Sequence, residues 1–130
     1  MKNKIIAFDL DNTLCQPIKS NHENKLVPKQ LLKLQPYKKH IKVLCDMKKE
    51  GNKIIIFTSR YGPDEIKDAT RKWLKKHRVP YDEIIWNKPS YDMLIDDKAI
   101  SAYQGGLSST LINTFIDFNE NKIAKEKAKQ

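Results

Sequence analysis

Short apolar runs alternate with longer polar stretches along the whole chain. Lys4 to Phe8 is a mostly apolar run that reads as a strand buried on both faces, as in a parallel sheet. Lys53 to Phe57, rich in β-branched residues, reads as a second buried strand. Two further short strands are expected at Glu83 to Trp86 and at Tyr91 to Ile95. Helical spacing fills the intervals. Tyr37 to Lys49 carries Ile41, Leu44, Cys45 and Met47 on one stripe, begins after Pro36 and stops at Gly51. The stretch from about Pro63 to His77 sets Ile66, Thr70, Trp73, Leu74 and His77 on one face, with Lys and Arg opposite. Leu107 to about Glu126 places Leu111, Ile112, Phe115 and Ile116 at helix spacing, and is expected to close one side of a sheet before fraying into lysines. Cys15 to Gln35 has no clear period and reads as a loop or short insert with one helical turn at Gln30 to Leu34.

Strands alternating with helices predict an α/β fold with a doubly wound, Rossmann-like, mostly parallel sheet and right-handed crossovers. The expected layout is one domain over residues 1–120, with a short insert at 15–36 and a lysine-rich tail at 121–130. In such folds ligands gather at the carboxyl ends of the strands. The reactive side chains all follow strands: Asp9 and Asp11 the first, Thr58 and Ser59 the second, Lys88 the third, Asp96 and Asp97 the fourth. Two carboxylates one residue apart repel each other and lose solvation at a sheet edge, which calls for a positive partner. A hard divalent cation held by oxygens meets that need.

Composition narrows the classes. A chain of 130 residues suits one core and is too short for two. No apolar run approaches the roughly 20 residues of a membrane span, and the N-terminus lacks a signal-peptide pattern, so a cytoplasmic protein with no membrane partner is expected. Two cysteines do not make a disulfide framework. Cys45 reads as a packing residue; Cys15 lies beside the acidic pair, but no histidine is placed to activate it. The net charge of +9 has two readings. One is compositional, from abundant Lys, Asn and Ile; the other is attraction to phosphorylated or nucleic-acid substrates. The scatter of the lysines favours the first.

The segment Asp9-Leu10-Asp11-Asn12-Thr13, followed in order by Thr58-Ser59, Lys88 and Asp96-Asp97, resembles the four motifs of the haloacid dehalogenase (HAD) superfamily. The stretches Thr58 to Tyr61, Pro80 to Ile84, Lys88-Pro89 and Ile95 to Ile100 are similar to small capless HAD phosphatases of capsule and surface-sugar biosynthesis. The resemblance implies a HAD-like phosphohydrolase with little or no cap and a fairly open site. It would cleave small phosphomonoesters, sugar phosphates among them, through an aspartyl-phosphate. It implies Asp9 as nucleophile, Asp11 as acid/base and Lys88 as charge partner. Thr58, Ser59, Arg60 and Asn12 would bind substrate. Mg²⁺ would be held by the Asp9 side chain, the Asp11 backbone carbonyl and Asp96, with Asp97 and Thr13 in support. Other readings stay open: a 3′-phosphatase on nucleic-acid ends, a phosphoaccepting receiver-like domain, or a binding module that kept the fold. The receiver reading is disfavoured because the third strand ends in Asn87-Lys88, with no lone Asp.

Overall fold

The computed structural model describes residues 3–18, 26–102 and 107–128. These fall into two compact units, Met1–Ser90 and Tyr91–Gln130, and each is described by itself. Among the described residues no helix is long and apolar enough to cross a membrane.

The first unit holds three parallel strands in the order β1 (Ile5–Phe8), β2 (Lys53–Phe57) and β3 (Glu83–Ile85). The register pairs Phe8 with Ile56, and Ile56 with Ile84. The strand ends therefore lie level, and the residues just after them share one rim. β2 is the centre, with Ile54 and Ile56 fully buried. β1 departs from expectation. Its burial alternates and Ile5 is 68% exposed, because in this unit β1 is an outer strand with β2 as its one paired neighbour.

Helix α1 (Pro28–Leu32) is a single turn slightly earlier than expected, and it packs on α3 (Asp64–Lys76). The remainder of the expected insert, residues 19–25, lies outside the described residues. Helix α2 (Lys38–Lys49) buries Ile41, Val43, Leu44 and Met47. Gly51 ends it at φ 97°, a left-handed conformation that glycine adopts without cost. The next residue, Asn52, is buried and fully used. Its amide donates to the Met47 carbonyl at 2.9 Å, and its oxygen accepts from the Lys4 N–H at 3.1 Å, joining α2 to the start of β1. Helix α3 has Asp64 and Glu65 in its first turn and Lys75 and Lys76 in its last, each sign matching its end of the helix dipole. Trp73, 1% exposed, donates from Nε1 to the Leu34 carbonyl at 2.8 Å and so fastens α3 to the segment after α1.

The second unit corrects two expectations. Tyr91 to Ile95 forms no strand: it pairs with no described strand, and Met93 and Ile95 are 76% and 93% exposed. The cause is local as well as tertiary, since Pro89 and Asp92 are poor strand formers and an apolar run needs a ladder to become a strand. Helix α4 (Ser109–Ala128) starts behind a Ser108 hydroxyl that accepts the Leu111 N–H at 3.0 Å. It stays helical through the lysine-rich stretch to Ala128 rather than fraying.

Asp82 links three elements of the first unit. Its carboxylate accepts from Lys48 of α2 at 2.6 Å and from the Ile54 N–H of β2 at 2.8 Å, just before β3 begins. The Lys48 hydrogen bond, then the Ile54 N–H, hold its pKa below the usual carboxylate value. His77 stacks on Trp73 at 4.4 Å, and its Nε2 has no hydrogen-bond partner among the described residues. Burial, then Lys76 and Lys38, push its pKa below 6.5. Both folded-state values are depressed relative to the unfolded chain, so both groups contribute stability at neutral pH that is lost on acidification. Urea titrations should show stability falling from about pH 6.5 downward through His77, with a second loss below about pH 3.8 through Asp82. His77→Gln should remove the upper slope and leave the lower one; an unchanged upper slope would contradict this assignment.

Candidate active site

The loop after β1 is built around a buried leucine. Leu10 and Leu14 are fully buried, and the Leu10 carbonyl accepts the N–H groups of Thr13, Leu14 and Cys15 at 3.2, 2.8 and 3.3 Å. With Leu10 turned inward, its neighbours Asp9 and Asp11 are left at the rim. Asn12 takes φ 59°, a left-handed position that Asn tolerates. Its side-chain oxygen accepts the Tyr37 hydroxyl at 3.1 Å, and His40 Nδ1 lies 2.6 Å from the Thr13 carbonyl. The start of α2 thus braces the loop from behind, a role that sequence reading did not give to Tyr37 or His40. Asn12, expected to bind substrate, is held by Tyr37; Thr13 braces through its backbone.

Asp9 is the more exposed of the two acids on this loop, with 41% of its side chain accessible against 22% for Asp11. One oxygen accepts the Leu10 N–H at 2.8 Å, and the other lies 4.0 Å from Lys88 Nζ. Desolvation raises its pKa above the usual carboxylate value, against the lowering effects of the Leu10 N–H and Lys88. Lys88 is held there by backbone bonds. Its N–H donates to the Thr58 carbonyl at 2.9 Å, and the Asn87 N–H donates to the Arg60 carbonyl at 3.0 Å. Asn87, at φ 59°, turns the chain so that β3 can deliver Lys88 back across β2.

Asp11 sits differently. Its Oδ2 accepts from Arg60 Nε at 3.0 Å and its Oδ1 from Arg60 Nη2 at 2.6 Å, a two-point ion pair. Arg60 is 3% exposed and also donates to Thr70 Oγ1 at 2.9 Å. Arg60, expected to bind substrate, has its guanidinium on Asp11 and Thr70. An unpaired guanidinium could not be buried, and Asp11 is its carboxylate partner. Thr58 is likewise fully buried, and its hydroxyl accepts the Arg60 N–H at 3.1 Å. Ser59 is exposed at the rim.

Asp96 and Asp97 belong to the second unit. There the Asp96 carboxylate accepts the Lys98 N–H at 2.8 Å in a local turn, and the Asp97 carbonyl accepts from Asn119 of α4 at 3.2 Å. Among the described residues no three His, Cys, Asp or Glu side chains gather as a metal cluster. Within the first unit the Asp11 carboxylate is committed to Arg60, so the acids available to a cation are the Asp9 side chain and the backbone oxygens of its loop.

Cys15 is fully buried, 3.6 Å from Asp11 Oδ1 and 3.8 Å from Arg60 Nη2. Burial, then the Asp11 charge, pushes its thiol up to about 12. A thiol so protonated is a poor nucleophile. Iodoacetamide at pH 8 should therefore add one label to the native protein, at the part-exposed Cys45, and two in urea. Rapid native labelling of Cys15, read by peptide mass, would contradict that environment.

Comparison with known proteins agrees with this architecture. Residues 4–98 match the family described as polynucleotide kinase 3 phosphatase. A crystal structure of a structural-genomics target from Vibrio cholerae is 27% identical, with a TM-score of 0.66, over 89% of this chain and 98% of that one. A structure titled as the Pnkp1/Rnl/Hen1 RNA repair complex is 22% identical with a TM-score of 0.51. That likeness covers 74% of this chain but 29% of the other, and it speaks to the fold alone. No curated protein matches the chain. The family match spans well over half of the 130 residues and sets aside the receiver-like and binding-module readings. The chain belongs to the polynucleotide kinase 3 phosphatase family and is a phosphatase with a small HAD-like fold.

Proposed function

We propose that this phosphatase removes terminal 3′-phosphates from nucleic-acid strands, with Asp9 as the nucleophile. The observation that carries the chemistry is the contrast between the two rim acids. Asp9 is half-buried beside a lysine, whereas Asp11 is fixed on both oxygens by a buried arginine. The family match and the net charge of +9 favour a polyanionic substrate over a sugar phosphate.

The steps follow from these positions. A phosphomonoester approaching the rim meets the free oxygen of Asp9, with Lys88 close enough to offset the charge of two anions meeting. Asp9 attacks phosphorus, the bond to the 3′-oxygen breaks, and that oxygen takes a proton from solvent. The ionised Asp11 then takes a proton from the water that attacks the aspartyl-phosphate, which releases inorganic phosphate and free Asp9, and Asp11 returns the proton to solvent. Arg60 serves this sequence by holding Asp11 in one orientation.

Mg²⁺ fits the donor set. The Asp9 carboxylate is desolvated and under-compensated, and the Asp11 backbone carbonyl is a second hard oxygen on the same loop. Asp96 as a further ligand rests on the resemblance alone. When bound, the ion would neutralise charge on Asp9 and on the phosphoryl oxygens.

Asp9→Asn should lower turnover of a 3′-phosphorylated oligonucleotide by at least about 10³-fold. It should also raise the neutral-pH Tm, because it removes a carboxylate whose folded-state pKa lies above its unfolded value. Adding MgCl₂ should raise the Tm of the wild type and leave Asp9→Asn unmoved. Wild-type turnover in the variant would overturn the role of Asp9. Hydrolysis of sugar phosphates with none of oligonucleotide 3′-phosphates would overturn the substrate class. Arg60→Lys keeps the charge but loses the two-point grip, and should lower kcat more than it raises KM.

A further inference from the structure

We propose that Trp86, Lys67 and Arg71 form the platform that holds the nucleic-acid strand leading into the site; this rests on the 3′-phosphatase reading. Trp86 follows β3 directly, on the same rim as Asp9, and precedes Lys88 by two residues. β1 and β3 are separated only by β2, so the Trp86 backbone lies about 10 Å, two strand spacings, from that of Asp9. About three nucleotides of a stacked strand cover that distance.

The ring is flanked by cations from α3. Lys67 Nζ lies 5.7 Å and Arg71 Cζ 5.6 Å from its centroid. Lys67 and Arg71 stand one helical turn apart, and the turns beyond them carry exposed Lys72, Lys75 and Lys76. The acids of α3, Asp64, Glu65 and Asp68, occupy its first half, so the positive field is concentrated from Arg71 onward. Trp86 is neither sealed in the core like Trp73 nor fully open.

The arrangement combines the two parts that single-strand recognition uses: an aromatic face on which a base stacks without sequence preference, and cations spaced along the backbone path. Arg71 is also free to exchange partners, since its side chain is 49% exposed and its 3.1 Å contact with Asp68 is an exposed pair of small worth. A strand laid across this face would draw Lys67 and Arg71 onto its phosphates and present a base to the indole.

The test uses two variants, Lys67→Gln/Arg71→Gln and Trp86→Ala, with unphosphorylated (dT)10 as the binding probe. Binding to the wild type should quench the accessible Trp86 fluorescence and weaken with salt. The double variant should lower the slope of log K against log salt by about 1.4, two single-strand phosphate contacts at about 0.7 each. Trp86→Ala should weaken binding by roughly 5- to 150-fold, the loss expected for one stacked base. The ratio of kcat/KM for 3′-phosphorylated (dT)10 to that for thymidine 3′-monophosphate should fall in both variants, through KM. An unchanged ratio and slope, in a wild type that hydrolyses the oligonucleotide, would overturn the platform and leave the 3′-phosphatase reading standing. An equal loss on both substrates would assign the cluster to folding and overturn it too. A wild type inert on the oligonucleotide but active on small phosphomonoesters would overturn the underlying reading instead.

Discussion

The ion pair between Arg60 and Asp11 sets the geometry on which the rest of the site depends. A buried guanidinium is tolerable only when its donors are used, and here Asp11 and Thr70 use them. The pair ties the loop after β1 to the loop after β2 and to the middle of α3. Because both Asp11 oxygens are taken by Arg60, Asp9 is the more accessible of the two acids on this loop. The difference between two carboxylates of identical chemistry is thus imposed by a residue 49 positions from Asp11 in sequence.

The remaining contacts make that arrangement rigid. Leu10 and Leu14 pin the loop from inside, while Tyr37 and His40 press on it from α2. Backbone bonds from Asn87 and Lys88 to Arg60 and Thr58 carry the amine across the central strand. The lysine and the aspartate therefore meet through main-chain geometry, not through side chains reaching across an open cleft. Preorganisation of this kind lets charge develop without a costly rearrangement of dipoles.

What could be read from the sequence followed the range of the forces involved. β2, α2 and α3 were legible because each combines a run or stripe of apolar residues with a local stop signal such as Gly51 or Gly62. The order of the rim residues was legible because parallel strands align their carboxyl ends. The burial of Arg60 was not legible, since no local pattern marks an arginine for burial. The clue available was chemical: Asp11 needed a cation, and the neighbouring rim loop offered one. The segment at Tyr91 to Ile95 has apolar residues that suit a strand, interrupted by Asp92, but in the structure no described strand pairs with it, and composition alone does not make a ladder.

The stem beneath the 15–36 segment has a consequence of its own. Cys15 bridges Pro36 in antiparallel fashion, the Gln16 N–H donates to the Gln35 carbonyl at 2.9 Å, and the Tyr37 N–H donates to the Leu14 carbonyl at 2.8 Å. The two legs are thereby stapled at their base, and loop-closure entropy grows only slowly with the length of chain beyond such a staple. Lengthening the chain between those legs therefore adds little closure entropy and leaves the hydrogen bonds that place Asp9 and Asp11 untouched.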